Sequence, residues 1–223
     1  MSSELLPSTF LFHFAVPCRY RRTIWGATGV KLEETHRVPS FGELDGQKSF
    51  ADVRTAWNGT GLTFTVQVVG KKASVWCRGT RLEESDGLHL WIDTRDTRNI
   101  HRASRYCHRF AFLPAGDGPQ YQSPVAGWLP INRAKENPKP VSSNVLQVRG
   151  LVQASGYQLQ AHVPASALTG FDPQEHPRLG FYFAVVDREL GWQTLNMGSE
   201  FPFAEDPSLW GSLVLETHDN KLS

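Results

Sequence analysis

Two stretches of strict alternation constrain this chain more than any other feature. After Trp57-Asn58-Gly59-Thr60-Gly61, apolar residues recur at every second position as Leu62, Phe64, Val66 and Val68, with Thr63, Thr65 and Gln67 between them. After Glu84-Ser85-Asp86-Gly87, the residues Leu88, Leu90 and Ile92 alternate with His89, Trp91 and Asp93. Successive side chains in a strand point to opposite faces, so each phrase predicts a strand with one face against a core. Similar patterning predicts strands near 11–16, 51–57, 107–113, 145–153, 157–163 and 213–215. The unbroken apolar run 181–186 reads as a strand covered on both faces. Segment 114–140 carries six prolines and three glycines and reads as a long loop packed by Tyr121 and Trp128. Pro164 to Leu168 predicts a short helical turn. Many short strands punctuated by Gly and Pro predict an all-β fold, a two-sheet antiparallel β-sandwich of jelly-roll or immunoglobulin-like topology. The expected organisation is one domain over 1–223, with 1–9 as a flexible arm.

Composition narrows the classes of function. A net charge of +1 argues against a general nucleic-acid binder, which carries a basic excess. Cys18, Cys77 and Cys107 are widely spaced and odd in number, a poor disulfide framework and a poor zinc ribbon. Lone cysteines of this kind suit a reducing compartment as small core residues. No stretch reaches the roughly 18 apolar residues of a membrane span. Met1-Ser2-Ser3-Glu4 has no basic n-region, so the expected location is cytoplasmic, with secretion the alternative if the start codon is mis-set.

Five phrases then follow one another in order: AWNGTGLTFTVQV, EESDGLHLWIDTRD, YQLQAHVPASAL, LGFYFAVVD and DPSLWGSLVL. The series, over roughly residues 50 to 216, resembles the family 9 carbohydrate-binding modules and related DOMON-like β-sandwiches. The resemblance implies two antiparallel sheets packed face to face, with ligands held by loops or along one sheet. It also implies two tryptophans that clamp a terminal sugar. At those places this sequence has Leu82 and Ala204, with His89 near a family acidic position. Phe201, Phe203 and Trp76 are the substitute platforms at hand. A haem-binding branch of the group uses Met and His ligands. Met197 and the eight histidines leave that formally open, with no spacing that singles out a pair.

The most unusual local feature is the run from Arg95 to Arg109, with Arg95, Arg98, Arg102, Arg105, Arg109, His101 and His108 around Tyr106. Guanidinium forks suit carboxylate, sulfate or phosphate, so the run reads as an anion site for an acidic or sulfated saccharide. The competing reading is a solvated hairpin whose arginines pair with Glu83, Glu84, Asp86, Asp93 and Asp96. Asp86, Asp93 and Asp96 supply hard oxygen donors for calcium, which braces loops in the related modules, although neighbouring arginines oppose a cation. His101, Cys107 and His108 fit no zinc pattern, and adjacent Cys107 and His108 point to opposite faces of a strand. Glu83, Glu84, Asp86 and Asp93 contain candidates for a glycosidase acid and base, if two face each other across a cleft. Trp57, Trp192 and Trp210 are expected to plug the core from strand ends.

The leading expectation is a non-catalytic binding module for a saccharide or other polyol, the ligand being anionic by the arginine reading. Its candidate ligand-binding residues are Trp91, Arg98, His101, Arg102, Arg105, Arg109, Trp128 and Phe203. The first alternative is an intracellular scaffold or interaction domain without a small ligand. The second is a metal-dependent or carboxylate-based glycan-acting enzyme. Neither nucleic acid nor membrane is an expected partner, and the sequence sets no oligomeric state.

Overall fold

The computed structural model describes residues 8–217. Asn58 sets the first hairpin. Its Oδ1 accepts from the Thr60 backbone N–H at 2.8 Å and from the Thr60 hydroxyl at 2.6 Å. Its Nδ2 donates to the carbonyls of Arg21 and Arg22. An Asn side chain that bonds two residues ahead is a built-in turn. The turn joins β2 (Ala51–Asn58) to β3 (Gly61–Val69) in antiparallel register, Thr55 opposite Phe64.

The other strands among the described residues are β1 (Ala15–Tyr20), β4 (Gly87–Asp93), β5 (Cys107–Asp117), β6 (Ser123–Leu129), β7 (Gln147–Gln153), β8 (Gly156–Pro164), β9 (Arg178–Asp187), β10 (Gly191–Thr194) and β11 (Gly211–Glu216). They pair in the order β6-β5-β4-β9-β11-β1-β2-β3-β8-β7, and β10 adds to β9. β1 runs parallel to both β11 and β2, and the remaining pairs are antiparallel. The path folds into two facing layers: a front layer of β6-β5-β4-β9-β11 and a back layer of β2-β3-β8-β7, with β1 between them. Phe64 of β3 stacks on Phe181 of β9 at 5.9 Å between ring centres, which places the core between the layers. Each such fully buried Phe contributes about 1.5–3 kcal/mol relative to exposure. At the open edge the backbones of β7 and β5 meet: a Cβ on Gly150 would fall 2.0 Å from the Pro114 carbonyl oxygen.

Period-two patterning located most of these strands. Phe181 to Val186 is buried on both faces, as expected of an unbroken apolar run. The turn after Pro164 is a 3-10 turn, Ala165–Ala167. Three expectations change. The first strand begins at Ala15 rather than residue 11; Ser8–Leu11 forms a 3-10 turn in which Leu11 is exposed and Thr9 is buried against Asp45. Residues 1–7 of the expected arm lie outside the described residues. Segment 114–140 is not one loop: β5 continues through Pro114 to Asp117 with a register shift after Leu113, and β6 follows. β6 ends the pairing path, and an edge strand tolerates Pro124, which lacks a backbone donor. The third concerns Trp192, which is 45% exposed, whereas Trp57 and Trp210 do plug the core. Their indole N–H groups donate to the carbonyls of Glu216 and Phe203.

Candidate functional site

The front sheet separates apolar from polar residues by strand parity. Leu90 of β4 lies opposite Phe110 of β5 and Phe183 of β9, and all three face the core. One residue along, Trp91 lies opposite Arg109 and Tyr182, so these three share the outer face. His89 joins them two residues back, opposite Ala111 and Ala184. Tyr182 donates its hydroxyl to the Met197 carbonyl at 2.6 Å. Phe203 covers the Tyr182 and Trp91 part of the row, stacked on Tyr182 at 4.4 Å and edge-on to Trp91 at 5.4 Å.

The row is polar beneath that cover, and its polar atoms are unsatisfied. Both ring nitrogens of His89, Nε1 of Trp91 and Nε of Arg109 are buried without a hydrogen-bond partner among the described residues. Buried polar atoms are nearly always paired, by protein or by ordered water, so four orphans on one face make it a candidate ligand face; single orphaned atoms also occur on His108, Trp128, Tyr157 and Asn196. Burial pushes the His89 pKa down to about 3, and the nearby Arg109 charge acts in the same direction. The ring is therefore neutral, one nitrogen able to donate and the other to accept. Arg109 lies 5.2 Å over Trp91 and 3.3 Å from the Glu83 carboxylate. Burial lowers its pKa, opposed by Glu83.

An exposed aromatic rim borders the same face. Trp192 of β10 is opposite Val186, which is opposite Gly87, so it continues the row past His89. Trp76 is half-buried, with the guanidinium of Arg188 over its ring at 4.2 Å and those of Arg78 and Arg81 at 5.5 and 5.7 Å. Arg78 also lies 4.0 Å over exposed Tyr121. Asp86 anchors this rim to the start of β4. One carboxylate oxygen accepts from the Trp76 N–H at 3.0 Å and the other from the Arg188 N–H at 2.9 Å. Lys71, 1% exposed, lies between Asp86 at 3.2 Å and Asp187 at 2.6 Å and locks the segment before Trp76 to the end of β9.

The arginine run does not converge on one site. Arg98 pairs with Asp96 at 2.9 Å, and Arg102 donates to the carbonyls of Arg133 and Ala134. Arg105 lies against Tyr106. Of the five, Arg109 alone reaches the row of orphaned atoms. The solvated-hairpin reading accounts for Arg98 with Asp96; Arg109 does pair with Glu83, but from a buried position on β5. His101 is exposed, and its Nδ1 meets both Asp206 and Ser208 at 3.1 Å. A nucleophile relay needs the serine and the carboxylate on different ring nitrogens, so this trio is not one.

Two of the expected ligand platforms, Trp91 and Phe203, are core-packed rings rather than exposed faces, each 1–2% exposed. Trp128 lies opposite Phe110 and so sits on the core side of β6, half-buried. Leu82 packs where a Cβ on Gly127 would come within 2.5 Å of it, and Ala204 packs against the core. Asp86, Asp93 and Asp96, the candidate calcium donors, each have protein partners of their own. Asp86 already holds the Lys71 ammonium. Asp93 accepts from the N–H groups of Arg95 and Thr97, and Asp96 binds Arg98, Arg178 and Ser212. Among the described residues no three His, Cys, Asp or Glu side chains group to hold a metal. Cys107 and His108 point to opposite faces, and burial pushes the Cys107 thiol up to about 12. Arg188 and Trp192 were not among the expected site residues. The available signal was that both follow the end of an apolar strand at Asp187, where a turn presents side chains to solvent.

No protein-family model matches the sequence, and no curated protein matches it. Solved structures do match the fold. A family 9 carbohydrate-binding module from Caldicellulosiruptor kristjanssonii in complex with cellotriose superposes with a TM-score of 0.62 at 10% identity, covering 94% of this chain and 97% of that one. A family 9 module from the same organism in complex with glucose gives 0.60 at 11% identity over 94% and 100%. A protein from Bacteroides uniformis, provisionally described as carbohydrate-binding, gives 0.55 at 13% identity over 92% and 100%. At these identities the likeness establishes the architecture: this chain has the β-sandwich fold of the family 9 carbohydrate-binding modules.

Proposed function

We propose that this chain is a non-catalytic saccharide-binding module whose ligand meets the outer face of the front sheet between Trp76 and Trp192. The observation that carries the reading is the row of orphaned polar atoms on His89, Trp91 and Arg109 beside an exposed tryptophan. Sugar recognition needs both parts, an aromatic face for the apolar side of the ring and fixed hydrogen-bonding groups for its hydroxyls. The ligand reaches Trp192, Trp76 and Arg188 directly and the buried row by displacing Phe203. Structures of the same fold bind glucose and cellotriose, which supports a saccharide as the ligand class. Arg188 is exposed, and its guanidinium has no hydrogen bond or ion pair among the described residues, which favours a sugar carrying a carboxylate. Calorimetric titration with glucose, cellotriose and glucuronate tests the reading. Binding that weakens at least tenfold in Trp192→Ala is expected. No heat with any of the three at about 10 mM, where binding is worth only about −3 kcal/mol, would remove it.

A second reading as an interaction domain rests on Phe10, Leu11 and Phe12, exposed beside an open groove of about 600 Å³. A concentration-dependent dimer in light scattering, lost on Leu11→Ser, supports it, and a monomer at all concentrations removes self-association.

A further inference from the structure

We infer a second binding site, for a tetrahedral oxyanion, at the far end of the front sheet where Arg95, Arg98 and Arg178 line an open groove. The groove has a volume of about 590 Å³, and His176 and Glu175 complete its lip. Its foundation is Asp96, a non-glycine residue at φ +47°, a left-handed conformation that must be held by its surroundings. The Asp93 carboxylate shapes the turn by accepting from the N–H groups of Arg95 and Thr97 at 3.0 and 2.7 Å. The Asp96 carboxylate, 9% exposed, then takes the Ser212 hydroxyl at 2.7 Å, Arg98 at 2.9 Å and Arg178 at 3.3 Å.

Two guanidiniums therefore share one carboxylate, and one positive charge is left over in a fixed geometry. The terminal nitrogens of Arg178 have no hydrogen-bond partner among the described residues, and its side chain is 40% exposed. Arg95 is held from the other side by the Gly170 carbonyl at 2.7 Å and by the Tyr106 ring at 4.5 Å. Glu175 is the opposing charge on the lip. It is 70% exposed and lies 3.6 Å from His176. Held guanidiniums lose little freedom on binding, and forks arriving from separate chain segments suit the several oxygens of sulfate or phosphate better than a planar carboxylate. The site stands apart from the saccharide reading. It uses none of His89, Trp91, Trp76, Arg188 or Trp192.

The test is thermal unfolding of the whole chain in sulfate, phosphate, acetate and chloride at matched ionic strength, followed by calorimetry. A saturable rise in Tm with sulfate or phosphate, absent with chloride and weaker with acetate, is expected. Arg178→Gln should lower the oxyanion affinity at least tenfold, while Lys48→Gln, the same charge change elsewhere, leaves it unaltered. Glucose 6-sulfate and glucose 6-phosphate separate the sources: tighter binding of an ester assigns the site to a decorated sugar, and equal binding assigns it to the free ion. Equal shifts in chloride, or full affinity in Arg178→Gln, overturn the proposal. Should Arg178→Gln fail to fold, Arg178→Lys keeps the charge without the fork and is expected to lose most of the affinity; full affinity there overturns it too. Cellotriose heat unchanged by these variants keeps the two sites distinct.

Discussion

Two buried histidines are expected to make this fold acid-sensitive. His108, on the core side of β5, accepts the Thr169 N–H on Nε2 at 2.9 Å. A proton on Nε2 would face that donor, so the ring is held neutral with hydrogen on Nδ1. Burial lowers the His108 pKa to about 4 and that of His89 to about 3, from 6.5. Between 6.5 and about 4 the unfolded chain binds a proton at each ring and the folded chain does not. Stability is therefore complete above 6.5 and falls as pH drops, by about 1.4 kcal/mol per pH unit for each histidine. At about pH 5 the two together remove about 4 kcal/mol, a large part of the 5–15 kcal/mol typical of a domain. His13, His36 and His162 are pushed the same way, first by burial, so the total slope is steeper and the difference between variants isolates the pair. Urea unfolding between about pH 5 and pH 7.5 measures it, clear of most carboxylate titration. The double variant His89→Phe/His108→Gln should lose about 2.7 kcal/mol per pH unit of slope. An unchanged slope would refute the assignment of neutral rings.

Lys71→Met leaves Asp86 and Asp187 buried together without their ammonium, a change expected to cost about 3–5 kcal/mol in urea unfolding and to loosen the Trp76 segment. Loss below about 1 kcal/mol would show that the carboxylates are solvated. Gly150→Ala forces β7 away from the Pro114 carbonyl and should destabilise by about 1–3 kcal/mol, read as a lower urea midpoint. A neutral result would mean that the sheet edge opens freely.

The fold was legible because a period of two is written directly into residues such as Leu62 to Val68 and Leu88 to Asp93. The errors fell where other forces override that signal. Leu11, Phe12 and Phe14 are apolar yet precede the sheet, and Leu11 and Phe12 stay exposed. β6 was hidden by Pro124 and Gly127, residues an edge strand accepts and a central one does not. Parity placed Trp91 on the face opposite the core, but it cannot report that Phe203, more than 100 positions away, closes over that face. The arginine run announced positive charge without direction. The turn sends Arg98 to Asp96 and Arg102 to the carbonyls of Arg133 and Ala134, while Arg109 already lies on β5, and sequence spacing does not encode where a turn sends its side chains.

The most direct measurement is a crystal structure with the tightest-binding saccharide. The expected result is a sugar ring against Trp192, with His89 and Arg109 hydrogen-bonded to its hydroxyls and the Phe203 ring moved off Tyr182. A sugar bound elsewhere, with Phe203 still stacked on Tyr182 and the His89 nitrogens unpaired, would contradict it.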